Sequence, residues 1–323
     1  MNKKYLGLLT GLAMVFGTQS ALAVEKMRLS HGLPEDHPVH KAVVKFADLV
    51  KQRTNGEIQI TVYANGVLGS ELETLQSVKT NGMEFTKASA ATLETLNADY
   101  KVFNLPFIFR DRAHFFKVLE GPVGESILAA SKKSGFIGLA YYDSGARSFY
   151  GKKPIETPDD LKGAKIRVQQ SPTTIKMIQA LGGTPVPMAW GEVYSALQLG
   201  LVDMAENNVT ALTSGRHGEV AKFYSDTEHQ MVPDVLVMSV ARWDALTKPQ
   251  QDIIKQAAVE SFHLQKQLWA EAEKTEKAKA EKMGVKFSHP NKQLFIAKVK
   301  PMIDEERKNP SIAKLLDEIA ATK

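Results

Sequence analysis

Two arginines, Arg147 and Arg167, stand twenty positions apart in the stretch GARSFYGKKPIETPDDLKGAKIRVQQS. Each lies in a short segment that reads as strand, and between them run a turn and a helical turn that Thr157 caps. A guanidinium offers a planar fork of donors that meets a carboxylate in two parallel hydrogen bonds, a geometry lysine cannot copy. In AKIRVQ the period of two puts Ala164, Ile166 and Val168 on one face and Lys165, Arg167 and Gln169 on the other. Alternation alone is met equally well by an arginine on the wet side of a strand.

Other chemistries find less support. Neither GxGxxG nor GxSxG occurs; from Gly145 to Gly151-Lys152 five residues separate the glycines where a P-loop needs four, and Lys153 stands where Ser or Thr should hold magnesium. His31, His37 and His40 fall close together, but HExxH and cysteine ligands are both missing, and His37 and His40 fit a helix N-terminus. No metal and no cofactor are expected. Spacing identifies no nucleophile and no acid/base pair, so an enzyme is the weaker reading.

The first residues, MNKKYLGLLTGLAMVFGTQSALA, carry Lys3 and Lys4, an apolar run from Tyr5 to Phe16, and the small-residue signature Ala21-Leu22-Ala23. That order predicts a cleavable signal peptide over residues 1–23, with an apolar run short of the roughly 20 residues a bilayer span needs. Removing 23 of 323 residues leaves 300, enough for two domains whose cores need no disulfides. The chain has no cysteine, so a lipid-anchored N-terminus is not expected and a freely diffusing periplasmic protein is. Dropping the two leader lysines leaves 39 basic against 36 acidic residues, about +3. Lysines in EAEKTEKAKAEKMG alternate with glutamates at helical spacing, a solvated face rather than the one-signed patch nucleic acid requires.

The elements that must position the arginines follow from periodicity. KMRLSH, EIQITVY and MEFTKAS read as strands, separated by a helix from about His37 to Arg53 and another capped by Ser70. After FIGLAYYD and ARSFYG the order repeats, with SPTTIKMIQALGG as a helix. Strands spaced by helices predict an α/β protein with parallel-type sheets, in two domains. Beyond Thr247 a breaker-free run of some 35 residues reaches Gly284, long enough to lie across both. The expected division is residues 24–144 plus about 233–270 for domain I and 145–232 plus about 271–323 for domain II, a two-domain periplasmic binding protein of the Venus flytrap kind with its ligand in the cleft. Soluble receptors of that build commonly close a hinge around their ligand.

At this point DSGARSFYGKKPIETPDDLKGAKIRVQQS, GGTPVPMAWGEVYSALQLGLVDMAENN and, before them, NLPFIFRDRAHFFKVLEGPVG resemble the substrate-binding subunit of tripartite ATP-independent periplasmic (TRAP) transporters, the DctP type. The resemblance implies a receptor that captures an organic acid and delivers it to small and large membrane permease subunits. It makes Arg167 the carboxylate-clamping arginine, Asn207 the asparagine facing the same ligand, and Arg147 a second basic contact. Trp190 stands where the family commonly has phenylalanine against the ligand, and is otherwise an ordinary core aromatic. Ser89 occupies a position that is acidic in sialic-acid receptors, which argues against sialic acid.

Five further residues join the candidates. Glu71 would accept from sugar hydroxyls, although an acid in a first helical turn is also what the macrodipole favours. His31 ends the first strand, where open α/β sheets place ligands, or is satisfied by nearby backbone. Asn208, His229 and Gln230 are ligand contacts or, alternatively, loop-capping and strand-end polar groups. The wording of GLAYYDSGARSFY, IRVQQS and AENN resembles the branch of the family associated with hexuronates such as glucuronate and galacturonate; C4-dicarboxylates are the runner-up. Remoter expectations are a receptor for another transporter class and a periplasmic enzyme acting on sugar acids. A monomer is expected.

Overall fold

The computed structural model describes residues 24–323, so the predicted leader lies outside the described residues. β1 (Glu25–Ser30) leads into α1 (Pro38–Arg53), where His37 Nδ1 accepts from the Val39 amide and Pro38 fills the first helical position, which needs no amide hydrogen. β2 (Ile58–Tyr63) is followed by α2 (Glu71–Lys79), which starts with Ser70 capping the Glu73 amide while Glu73 reaches back to the Ser70 amide. β3 (Phe85–Ser89), α3 (Ala90–Leu93), α4 (Arg112–Leu119), α5 (Pro122–Ala130) and β4 (Phe136–Tyr142) complete the first run.

The chain then crosses to a second sheet through β5 (Arg147–Gly151), β6 (Lys165–Val168), α6 (Pro172–Leu181), β7 (Thr184–Pro187), α7 (Val193–Leu199), β8 (Met204–Asn207), α8 (Thr210–Thr213) and β9 (Phe223–Gln230). It returns as β10 (Asp234–Ser239) and α9 (Val240–Ala245), continues through the 35-residue α10 (Lys248–Lys282), and ends with β11 (Lys286–Ser288), α11 (Lys292–Glu306) and α12 (Pro310–Ala321).

The strands form a five-stranded sheet, order β2-β1-β3-β10-β4, and a six-stranded sheet, order β11-β9-β5-β8-β6-β7. Both are mixed, not the parallel type that alternation suggested. β10 runs antiparallel to β3 and β4, and β5 antiparallel to β8 and β9. The reason is connectivity: β10 enters its sheet from the other lobe through residues 231–233, with no helical crossover to make it parallel to its neighbours.

Each sheet has its own core. Phe46, Phe85, Tyr100, Phe136 and Val237 belong to the first; the second lobe has two clusters, one around Tyr150, Leu197 and Tyr224, the other around Phe149, Ile166 and Ile178. The long helix serves both, with Ile254, Ala257 and Phe262 in the first core and Ala280 in a core of the second lobe. Thr247 caps it by accepting from the Gln250 amide. The C-terminal segment divides differently from expectation: Phe295 and Val299 of α11 pack in the second lobe, but Ile312, Leu316 and Ile319 of α12 pack in the first core. α12 follows α11 after a break at Asn309, which caps it, and its apolar face is turned back onto the first lobe. Among the described residues no helix is long and apolar enough to cross a membrane.

Candidate functional site

β6 lies between β7 and β8, an interior strand whose residues Ile166 to Val168 are buried while Lys165 at its start is exposed. Arg167, placed on the wet face by alternation, is only 3% exposed, because it faces the cavity between the lobes and not open solvent. Its Nε and Nη2 donate to the Met188 carbonyl at 3.2 and 2.8 Å, and Nη1 is buried with no hydrogen-bond partner. Among the described residues no carboxylate pairs with it. Burial lowers its pKa, but a guanidinium stays charged, so a cation is held in the interior with one nitrogen free.

Arg147 is also 3% exposed but has a partner at each of its three nitrogens. Its Nε and Nη2 donate to the Glu206 carboxylate at 2.5 and 2.9 Å, Nη2 donates again to the Glu206 carbonyl at 2.8 Å, and Nη1 to Asn207 Oδ1 at 2.8 Å. Burial pushes the Glu206 carboxyl up; the Arg147 charge, with His229 beside it, more than reverses this and leaves it at about 2. The two arginines expected to act together thus differ: one is neutralised by its own lobe, the other is not.

Both line a cavity of about 70 Å³ whose walls come from both lobes and from α10. Glu71, Lys87 and Asp234 reach it from the first sheet and its helices, Asn207 and Trp190 from the second lobe, and Trp269 from the long helix. A neighbouring space of about 230 Å³ shares Glu71, Lys87 and Trp190. At about 30 Å³ per water the inner cavity has room for roughly two waters. A larger hollow of about 720 Å³ lies elsewhere, between α5 and α12, where none of the buried charged groups described above lines it.

The chemistry of the walls is polar and mostly committed. Glu71 Oε1 accepts from the Ser89 amide at 2.8 Å and from Thr92 Oγ1 at 2.7 Å, while Oε2 meets Lys87 Nζ at 3.0 Å. Burial opposes its charge, and Lys87 with these donors more than compensates, so it is held below the usual carboxylate range. Lys87 is 5% exposed and lies between Glu71 and Asp234, with Asp234 Oδ2 3.2 Å away; the two carboxylates outweigh burial and raise the ammonium. Asp234 goes the other way, its pKa raised chiefly by burial. Asn207 Oδ1 serves Arg147 and the Asn208 amide, leaving its Nδ2 without a protein acceptor among the described residues. Trp269 is 1% exposed and its Nε1 is a buried donor with no partner.

His37, which also lines the cavity, packs on Trp269 at 5.6 Å. Burial, then the Lys87 charge, depresses it to about 3, so it is neutral. His217 beneath Trp190, 4.8 Å between ring centres, is likewise at about 3 through burial and Arg167.

Arg167, Asn207, Arg147, Glu71, Trp190 and Asn208 of the sequence candidates are brought together, and four are not. His31 is buried behind the wall, bonded to His40 at 3.0 Å and accepting from the Leu33 amide. Ser89 caps α3 through the Ala91 amide. His229 stacks on Phe149 and bonds Thr227 Oγ1 at 2.8 Å, and Gln230 donates to the Asn104 carbonyl. All four sit at strand ends outside the cavity lining; His229 Nε2, 3.6 Å from Glu206, and Gln230 Oε1 are buried without a hydrogen-bond partner among the described residues. Asn208, though at the cavity, has its oxygen on the Thr210 amide and hydroxyl and its nitrogen on Ser144. Sequence reasoning missed Lys87, Asp234 and Trp269. A lysine inside MEFTKAS, a strand buried throughout, was the available signal for the first; Asp234 and Trp269 had none without the fold.

A family model described as DctP, bacterial extracellular solute-binding protein, family 7, matches residues 29–309. A TRAP periplasmic solute-binding protein of Xanthobacter autotrophicus, solved with bound β-D-galacturonate, superposes with a TM-score of 0.90 at 41% identity over 92% of this chain and 100% of that one. Its counterpart from Anaerococcus prevotii, solved with α/β-D-glucuronate, gives 0.90 at 36% identity over 92% and 97%. The 2,3-diketo-L-gulonate-binding periplasmic protein YiaO of Escherichia coli is 32% identical over 83% of this chain and 81% of its own length. The chain belongs to bacterial extracellular solute-binding protein family 7, a family of TRAP transporter receptors for small carboxylates.

Proposed function

We propose that this chain, as a family 7 receptor, captures a hexuronate such as galacturonate or glucuronate in the cavity between its lobes and releases it chemically unchanged to a small and a large membrane permease subunit. The observation that carries the reading is Arg167: a buried guanidinium at the cavity wall with, among the described residues, no counter-ion and no partner for Nη1. A ligand carboxylate supplies the missing negative charge. Asn207 Nδ2 and Trp269 Nε1 then donate to further ligand oxygens, Trp190 covers a face of the sugar ring, and Arg147 fixes Asn207 through its oxygen.

The uronates bound in the galacturonate and glucuronate complexes of similar proteins support this ligand class. So does the wall contributed by the first lobe, where the Glu71 and Asp234 carboxylates suit hydroxyls better than they suit a second acid group. The protein is exported by residues 1–23, works in the periplasm as a monomer, and divides into domain I, residues 24–144 and about 233–270 together with α12, and domain II, residues 145–232 with β11 and α11. The crossings at residues 143–146 and 231–233 are the hinge segments, and α10 spans the two.

A melting panel with galacturonate, glucuronate, 2,3-diketogulonate, succinate, malate and sialic acid tests the reading. Ligand at 100 times its Kd stabilises the native state by about 2.7 kcal/mol, and the uronates are expected to do so. Recovery of unaltered uronate after incubation separates receptor from enzyme. Stabilisation by succinate or malate alone would replace the uronate assignment with a dicarboxylate one.

A further inference from the structure

The cavity has a second pole, built on the first lobe. Lys87 holds two carboxylates, Glu71 at 3.0 Å and Asp234 at 3.2 Å, and the three side chains carry one negative charge more than they cancel when both acids are ionised. The two acids are not equivalent. Glu71, the hydroxyl acceptor expected from sequence, is filled by the Ser89 amide, Thr92 Oγ1 and Lys87. Asp234 is 6% exposed and lines the same cavity as Arg167, yet Lys87 is the only cation in direct contact with its carboxylate among the described residues, the Arg147 charge acting from farther off. An ionised carboxylate has about four acceptor positions. Most of those on Asp234 are therefore unused, in a chamber whose other unpaired polar atoms, Arg167 Nη1 and Trp269 Nε1, are donors.

We infer that Asp234 is the specificity-determining residue of this site: it accepts hydrogen bonds from ligand hydroxyls at the end away from Arg167 and turns away ligands that bring a second carboxylate there. Lys87 positions it and, by sharing its charge with Glu71, keeps the pole net negative. Its backbone is fixed by pairing with Ser89 and Tyr142, so the carboxylate has a defined place where β10 begins. This inference rests on the uronate reading and adds to it the reason a dicarboxylate is excluded.

The test compares galacturonate with galactarate, the six-carbon diacid, by titration calorimetry on the full mature chain and on Asp234→Asn. Like charges forced together cost several kcal/mol, so the unmodified protein should prefer galacturonate by roughly a hundredfold or more. In Asp234→Asn galacturonate affinity should fall by about tenfold while galactarate affinity holds or rises, so the preference contracts by at least about tenfold. A structural role alone would weaken both ligands by one factor, and that outcome overturns the assignment, as does an unchanged preference. Should Asp234→Asn not fold, Asp234→Ser is read in the same way, and the unmodified protein stands as a test by itself: equal affinity for the two acids overturns the proposal. Binding of galactarate or succinate with no binding of galacturonate overturns the uronate reading too, whereas intact galacturonate binding with a failed Asp234 result overturns this inference alone.

Discussion

Arg147 and Arg167 sit on the two strands that flank β8, and they differ in one respect: Arg147 has a carboxylate from its own lobe and Arg167, among the described residues, has none. Ser148, next to Arg147, pairs with Asn207 of β8, and Arg167 pairs with Ala205 of the same strand. Two guanidiniums at comparable depth therefore hold opposite thermodynamic positions. The first is part of the folded structure's own charge balance; the second leaves that balance open for a ligand to close.

Replacing Arg167 should separate binding from stability. Arg167→Ala is expected to weaken uronate capture by about 2 to 5 kcal/mol, since the ligand carboxylate loses its partner in a desolvated site, and Arg167→Lys should be nearly as poor because an ammonium cannot form the fork. In the absence of ligand the sign reverses. Arg167→Met removes an uncompensated buried cation and should raise unliganded stability by about 1 kcal/mol or more. Calorimetric affinity and unliganded Tm check the pair; a lower Tm in Arg167→Met would mean the guanidinium is satisfied without ligand.

The mirror-image result is expected at Arg147. Arg147→Ala leaves Glu206, fully buried, without its cation, and should destabilise the unliganded protein by about 3 to 5 kcal/mol. Arg147→Met with Glu206→Leu removes both charges and should recover most of that loss. Chemical denaturation with the ligand absent measures both, and equal stability of Arg147→Ala and the unmodified protein would contradict the structural role.

Stability should fall with acid, beginning near neutrality. His31, His37 and His217 are depressed to about 3, in each case by burial first. Unfolded histidine titrates near 6.5, so between about 6.5 and 3 the unfolded chain binds protons that the folded one refuses, and stability declines as pH drops through that window. Asp143, raised to about 6 mainly by burial, works in the opposite direction, because the folded form takes a proton that the unfolded form does not. Near pH 5 three protons favour the unfolded chain and one the folded, a net of two, or about 2.7 kcal/mol of stability lost per pH unit from these four groups. Glu206, at about 2, adds its own loss as pH falls from the usual carboxylate range towards that value. A denaturation series from pH 7 to 4 reads the slope, and a flat profile would contradict buried neutral histidines.

How much of this was legible in the residues depended on whether the cause was local. β2 and the first two helical starts follow from alternation and from residues at His37 and Ser70, all within a few residues of what they determine, whereas Ser89, read as a ligand candidate, is a cap that only the structure shows. The 35-residue α10 was visible because nothing in its sequence stops it. Arg167 was singled out by its residue type together with the family resemblance, but its burial was not legible, because that comes from the two lobes meeting around the cavity it lines. Glu71 was read as a ligand group or a helix-start acid; its actual partners Lys87, Ser89 and Thr92 are 16 to 21 residues away and meet it only through the sheet. The antiparallel entry of β10, and with it Asp234, depends on a return from the second lobe that no local pattern encodes.

Gly145 offers a way to disturb the cavity from behind. It sits at φ +61° in the first crossing between lobes, donates its amide to Asp143 Oδ1 at 2.9 Å, and faces α10, where a Cβ would come within 2.8 Å of Glu273 Oε1 and 3.1 Å of the Trp269 ring. The crossing cannot simply retreat, because Asp143 exchanges two 2.7 Å hydrogen bonds with Gln265 of the same helix. Gly145→Ala therefore combines left-handed strain with displacement of Trp269, and should destabilise the protein by about 1 to 2 kcal/mol while weakening uronate binding. Trp269→Phe separates the two effects. It keeps an aromatic wedge against His37 and removes only the unpartnered Nε1 with part of the ring. If that nitrogen donates to the ligand, affinity should fall about fivefold to tenfold, the worth of one hydrogen bond, with unliganded stability changed far less than in Gly145→Ala. Full affinity in Trp269→Phe would show that Trp269 walls the site without bonding the ligand.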